Sequence, residues 1–232
     1  MKTVIITGGT RGIGADIARG FLEAGYQVLI GARHRSGLAE KTQEQLKFQE
    51  IDVREESGHK KLIQTALEWT GSLDCYINCA GFSRWSPVEE VDEAFWNEMV
   101  DINLKGSFLT AKYTAAAMER SGGGVIVLIS SGAGVRGGSS SFAYGASKGG
   151  VLGLSLVLAP RLESKNIRVH AVCPGSIDTP LKMRVVETQA QESGASSEEM
   201  RKSLGKAEGV GKVLAFLVSD EADYLRGTLF TR

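Results

Sequence analysis

The 232-residue sequence carries only three cysteines, and Cys75, Cys79 and Cys173 have neither an even count nor metal-type spacing. That excludes a disulfide scaffold and leaves the thiols as small buried hydrophobes of a reducing, cytoplasmic compartment. Net charge is lacking too. The 27 Lys+Arg residues balance 27 Asp+Glu residues, which removes the electrostatic basis for a nucleic-acid partner or an acidic membrane surface. No segment reads as the roughly 18–20 continuous apolar residues a bilayer span needs. No segment resembles a signal peptide, because the short apolar run at residues 4–6 leads straight into glycines. No linker and no short-period repeat divides the chain.

A hydrophobic content of 42% with 23% charged residues is enough to bury a substantial core, and the length fits one large domain spanning 1–232. Short apolar runs at residues 4–7, 27–30, 48–51, 75–78, 125–130 and 169–172 read as strands, with a last one opening at Gly227. Their hydrophobicity is continuous rather than alternating, as in strands buried on both faces of a parallel sheet. Residues 14–24, 58–69, 93–119 and 144–163 have helical character between them. The pattern predicts an α/β fold: a single-domain, Rossmann-like, doubly wound parallel sheet with helices on both faces. Residues 178–206 break the alternation. Polar, charged and flanked by Pro174 and Pro180, they read as a mobile lid over one edge.

Glycine is plentiful, with 29 residues clustered at 8–14, 122–124 and 132–138. Thr7-Gly8-Gly9-Thr10-Arg11-Gly12-Ile13-Gly14 follows the first strand and opens the first helix. Glycines there let the backbone approach a pyrophosphate at the helix N-terminus, where free N–H groups and the helix dipole favour an anion. Tyr144 and Lys148 form the second motif, at i and i+4 on one helix face, with Ser131 upstream. A nearby ammonium favours the phenolate and lowers a tyrosine pKa from about 10, which suits proton exchange with an alcohol or carbonyl. Taken alone, the spacing is equally met by chance surface pairs.

Thr7-Gly-x-x-x-Gly-x-Gly14, Asn78-Cys79-Ala80-Gly81, Asn103, Ser131, Tyr144-x-x-x-Lys148 and Pro174-Gly175 together resemble the short-chain dehydrogenase/reductase family in order and spacing, over nearly the whole chain. The resemblance implies an oxidoreductase that moves a hydride between a nicotinamide cofactor and a ketone or secondary alcohol. In it Tyr144 is the general acid/base. Lys148 lowers the tyrosine pKa and holds the nicotinamide ribose, Ser131 bonds the reacting oxygen, and Asn103 holds a water in a proton relay. Gly8, Thr10, Arg11, Gly12, Ile13 and Gly14 would cradle the pyrophosphate. Asp52 and Val53 would meet adenine, with a capping role for Asp52 as the alternative. Asn78, Ala80 and Gly81, then Pro174, Gly175, Ile177 and Thr179, would complete the cofactor site.

Ala32 stands where NAD-preferring members carry an acidic residue, and Arg33 follows it. Arg33 and Arg11 would suit a 2′-phosphate, so NADP(H) is favoured over NAD(H); a solvated Arg33 stacked on adenine is the competing possibility. Ser131, Trp85, Phe142, Ser176 and Leu181 are expected to form a partly apolar substrate pocket, in which Arg84 or Arg136 could meet a carboxylate. A homotetramer or homodimer through the long helices is expected. A dinucleotide-binding regulatory protein without turnover is the alternative to an enzyme. Two residues depart from the family pattern: Cys79 and His170 each replace an asparagine. Pro160 should kink or end the long helix.

Overall fold

Seven strands form one parallel sheet in the computed structural model, which describes residues 2–40, 44–136, 141–207 and 209–231. Gly137 and Gly138 of the third glycine cluster and Arg232 after the last strand lie outside the described residues. The strands are β1 (Thr3–Thr7), β2 (Gln27–Ala32), β3 (Leu46–Glu50), β4 (Cys75–Asn78), β5 (Gly124–Ile129), β6 (Ile167–Cys173) and β7 (Gly227–Phe230). Their order is β3-β2-β1-β4-β5-β6-β7, with every neighbouring pair parallel.

Burial on both faces explains the continuous runs. Successive side chains of a strand point to opposite faces. Val4, Ile6, Val28 and Ile30 therefore pack on one side against α1 (Gly12–Glu23) and α9 (Val210–Leu217), through Ile17, Phe21 and Leu214. Ile5, Leu29, Ile126 and Leu128 pack on the other side, with Leu62 and Ala66 of α2 (Glu56–Thr70), Met118 of α4 (Gly106–Arg120) and Val151 of α6 (Phe142–Leu162). Each such aliphatic side chain contributes about 1.5–3 kcal/mol by leaving water, so the two layers together fix the sheet.

Where one helix was expected over 93–119, α3 (Glu93–Val100) and α4 are joined by a π-helical turn at Asp101–Lys105. Such turns are rare and often mark functional positions; this one carries Asn103. Pro160 does not end α6 at once. The helix runs through it to Leu162 and ends in a 3₁₀ turn at Glu163–Lys165. The carbonyl that loses its partner belongs to Leu156, whose side chain is 57% exposed, so water can serve it. By length and composition α6, with its 3₁₀ extension, could cross a bilayer. Its inner face, with buried Lys148, Val151, Ser155 and Leu162, is nevertheless committed to the sheet.

The stretch at 178–206 is folded. It forms α7 (Pro180–Ser193) and α8 (Ser197–Lys202), capped by Thr179 and Ser196. Its base is closed by a bridge between Ile177 and Gly205 and by an Arg201–Asp178 ion pair at 2.8 Å.

Candidate active site

A cavity of about 640 Å³ opens at the C-terminal ends of the strands. The chain leaves β1 and β4 in opposite directions there, which is the crevice where doubly wound sheets bind ligands. Each strand end delivers one part of the lining. Thr10 to Gly14 follow β1, Arg33 follows β2, Asp52 and Val53 follow β3, Ala80 and Gly81 follow β4, Ser131 follows β5 and Pro174 follows β6.

At the β1 end no side chain caps α1, because Arg11 stands extended at the N-cap position. The first N–H groups of the helix are therefore free for an anion. A Cβ on Gly14 would lie 2.3 Å from the Gly8 carbonyl oxygen, so only glycine lets the loop fold this tightly. An open helix terminus without a side-chain cap, with Arg11 and Arg33 in the same lining, fits a dinucleotide.

Beyond β3, the carboxylate of Asp52 is held by Arg54, whose Nε donates at 3.0 Å to both oxygens and whose Nη2 donates at 2.6 Å to Oδ2. The Arg54 main-chain N–H also donates to Asp52 Oδ1 at 2.9 Å. Arg54 keeps the Asp52 carboxyl below its ordinary range, and Arg33 adds to the same field. Asp52 therefore closes a local turn instead of capping α2, whose N-cap residue is Glu55. Arg54 lines the cavity and was not foreseen, although an Asp-x-Arg spacing after a strand end could have signalled it.

At the other end Ser131, Tyr144 and Lys148 meet. Tyr144 and Lys148 share the inner face of α6, with the ammonium 5.8 Å from the centre of the phenol ring. Lys148 Nζ donates to the Ile129 carbonyl at 2.7 Å, while Ser130 Oγ donates to the Lys148 carbonyl at 2.8 Å. The Ser131 hydroxyl hydrogen-bonds Tyr144 and favours its ionised form, but burial outweighs this and leaves the phenol above its ordinary value. Burial also pushes Lys148 down to about 8. The lowered tyrosine pKa expected from the spacing is thus corrected. Desolvation penalises both charged forms, and it dominates where the ammonium is directed at a carbonyl.

Asn103 lies behind the cavity wall, fully buried. Its Oδ1 accepts from Phe82 N at 2.9 Å, and its Nδ2 donates to Phe82 O at 2.9 Å and to Ser147 Oγ at 3.0 Å. A Cβ placed on Gly81 would stand 3.4 Å from Asn103 Oδ1 and 3.5 Å from Lys148 Nζ, so the two groups converge on one glycine. Asn78 does not line the cavity either. It accepts from Thr7 Oγ1 at 2.6 Å and donates to Ser107 Oγ at 2.9 Å. Ser107 in turn donates to the Asn103 carbonyl at 2.6 Å.

Ser176, Ile177, Thr179 and Leu181 line the cavity, joined by Phe82 and Ser83. Trp85 and Phe142 lie outside the lining. Phe142 opens α6 two residues before Tyr144, which turns it to the opposite face, and it is 51% exposed. Arg84 also points elsewhere: its guanidinium stacks 4.2 Å over Phe95 and its carbonyl accepts from Ser141 Oγ at 2.7 Å. Arg136 does line the cavity. Cys79 lines it as well, its thiol pushed up to about 11 by burial.

A family model described as short chain dehydrogenase matches residues 2–190. The 3-oxoacyl-[acyl-carrier-protein] reductase FabG of Thermotoga maritima is 32% identical, over 97% of this chain and 94% of its own length. A dehydrogenase/reductase SDR family member of Oryctolagus cuniculus is 31% identical, over 97% and 90%. Among solved structures, a variant of actinorhodin polyketide ketoreductase with NADPH superposes with a TM-score of 0.91 at 29% identity, covering 99% of this chain and 95% of that one.

Proposed function

The chain belongs to the short-chain dehydrogenase/reductase family of oxidoreductases acting on C=O and CH–OH groups, and on that premise we propose that it is an NADP(H)-dependent ketone reductase working reversibly on secondary alcohols. The observation that carries this reading is the meeting of Ser131, Tyr144 and Lys148 at one end of a cavity whose other end is an uncapped helix flanked by Arg11 and Arg33. Bound NADPH supplies the hydride.

Each residue then has a task. The Tyr144 hydroxyl gives its proton to the substrate oxygen, and a phenol held above its ordinary pKa keeps that proton available at neutral pH. Ser131 donates to the same oxygen and stabilises the charge that develops on it. Lys148 holds the nicotinamide ribose and returns the proton to Tyr144. Asn103 fixes the Phe82 backbone against the catalytic helix and stands at the start of the relay to Lys148. Arg33 and Arg11 hold the 2′-phosphate. The Asp52 carboxylate, which would otherwise repel that phosphate, is neutralised by Arg54. The helix at 180–193, with the helix at 197–202 packed against it, acts as the lid, since Leu181 and Val185 line the cavity.

Exposed apolar side chains on the two long helices, Phe108 on α4 with Leu156 and Val157 on α6, suit a homodimer or homotetramer contact. The test is oxidation of NADPH and NADH with a panel of ketones. Turnover with NADPH preferred supports the reading. Tight NADPH binding without turnover across a broad panel would favour a dinucleotide-binding regulator.

A further inference from the structure

We infer that Arg136 forms an anion subsite at the substrate end of the cavity, selecting ketones, or the matching alcohols, that carry a carboxylate or phosphate remote from the reacting carbon. This rests on the reductase reading and adds a substrate class to it.

Position is the first argument. The cofactor parts follow the strand order, with Arg33 and Asp52 beyond β2 and β3 at one side of the sheet. Arg136 is at the opposite side. It ends the short helix α5 (Ala133–Arg136), which leaves β5 directly after Ser131, and its guanidinium lies 5.2 Å over the ring of Phe230 on the edge strand β7. The adenosine-side arginines are thus separated from Arg136 by the whole catalytic group.

Rigidity is the second. Arg136 N donates to the Gly132 carbonyl at 2.9 Å, and Gly132 N donates to the Pro174 carbonyl at 3.1 Å. Gly134 packs so closely on α6 that a Cβ would come 2.4 Å from Gly149 N. The segment carrying Arg136 is therefore pinned to the helix of Tyr144 and Lys148.

Charge is the third. Among the described residues lining the cavity the one carboxylate is Asp52, which Arg54 already holds. Arg136 makes no ion pair among the described residues, and Phe230 offers it a ring face, which leaves its N–H edge for a ligand. Lys182, the one cation of 178–206 in the described cavity lining, follows Thr179, which packs over Gly12 of the phosphate loop. A guanidinium without an acidic partner in a shared cavity binds carboxylate or phosphate in bidentate fashion.

The experiment titrates enzyme loaded with NADP⁺, which has no hydride to give a ketone, with keto carboxylates of graded length, their methyl esters and the matching keto phosphates, following binding by calorimetry. Wild type should bind one or both anionic series at least about tenfold tighter than the esters. Arg136→Gln should bring that ratio close to one, and Arg136→Lys should keep part of it. No preference for either anion in wild type, or a ratio unchanged in Arg136→Gln, overturns the subsite. Turnover of the bound ketones tests the reductase reading separately: selective binding of the anions without reduction of any ketone would retain the subsite and remove the reductase.

Discussion

Asn103 holds Phe82 as a strand neighbour would, accepting from its N–H and donating to its C=O, both at 2.9 Å. Loop and π-turn are thereby locked together beside the cavity. Asn103→Ala leaves two part-buried main-chain groups of Phe82 without their partner and Ser147 Oγ with only its bond to the Tyr144 carbonyl. It should cost about 2 kcal/mol, or roughly 4–8 °C in Tm. Calorimetry of the variant checks this; an unchanged Tm would show that water replaces the amide freely.

Ser107 is the link between Asn78 and Asn103. Ser107→Ala removes both contacts while leaving every residue of the cavity lining in place. A stability loss of about 1–2 kcal/mol is expected in urea unfolding, together with a lower kcat because the π-turn loses its tether. Ser107→Thr should restore both, since it keeps the hydroxyl.

Arg33 and Arg11 are the residues proposed to distinguish the cofactors. Arg33→Ala should raise KM for NADPH about tenfold or more and leave KM for NADH nearly unchanged, because only the former carries the 2′-phosphate. Parallel loss with both cofactors would mean that Arg33 stacks on adenine instead.

His170 should make the protein acid-sensitive. It is fully buried on β6, its Nε2 has no hydrogen-bond partner, and burial pushes its pKa down to about 4. The unfolded chain, with an ordinary histidine near 6.5, binds the proton more readily. Stability is therefore fully present above that value and is lost as pH falls from about 6.5 towards 4. Between pH 7 and pH 5 the loss from this group is about 2 kcal/mol. His170→Asn should flatten that part of the urea-midpoint profile; an equally steep profile would place the acid sensitivity elsewhere.

Much of this architecture was legible because it rests on patterns that physics enforces locally. A parallel sheet buried on both faces requires the apolar runs that mark β1, β2, β4 and β5. A phosphate loop requires glycine where a Cβ would strike the Gly8 carbonyl. What escaped depends on contacts distant in sequence. Nothing around Asn103 distinguishes a π-turn from continued helix, since the turn is tied down by Phe82, Ser147 and Ser107. The pairing of Asp52 with Arg54 follows the path of a turn, and the outward face of Phe142 depends on where α6 begins. The balance between ammonium and burial at Tyr144 required knowing how deeply both lie.

The proton donor is the centre of the account, and Tyr144→Phe tests it most directly by single-turnover oxidation of bound NADPH with a ketone that wild type reduces. The variant keeps the ring and removes only the hydroxyl. The rate should fall by about 10²–10⁴-fold, while NADPH affinity stays within about twofold of wild type. An unchanged rate in the variant would contradict the assignment of Tyr144 as the acid.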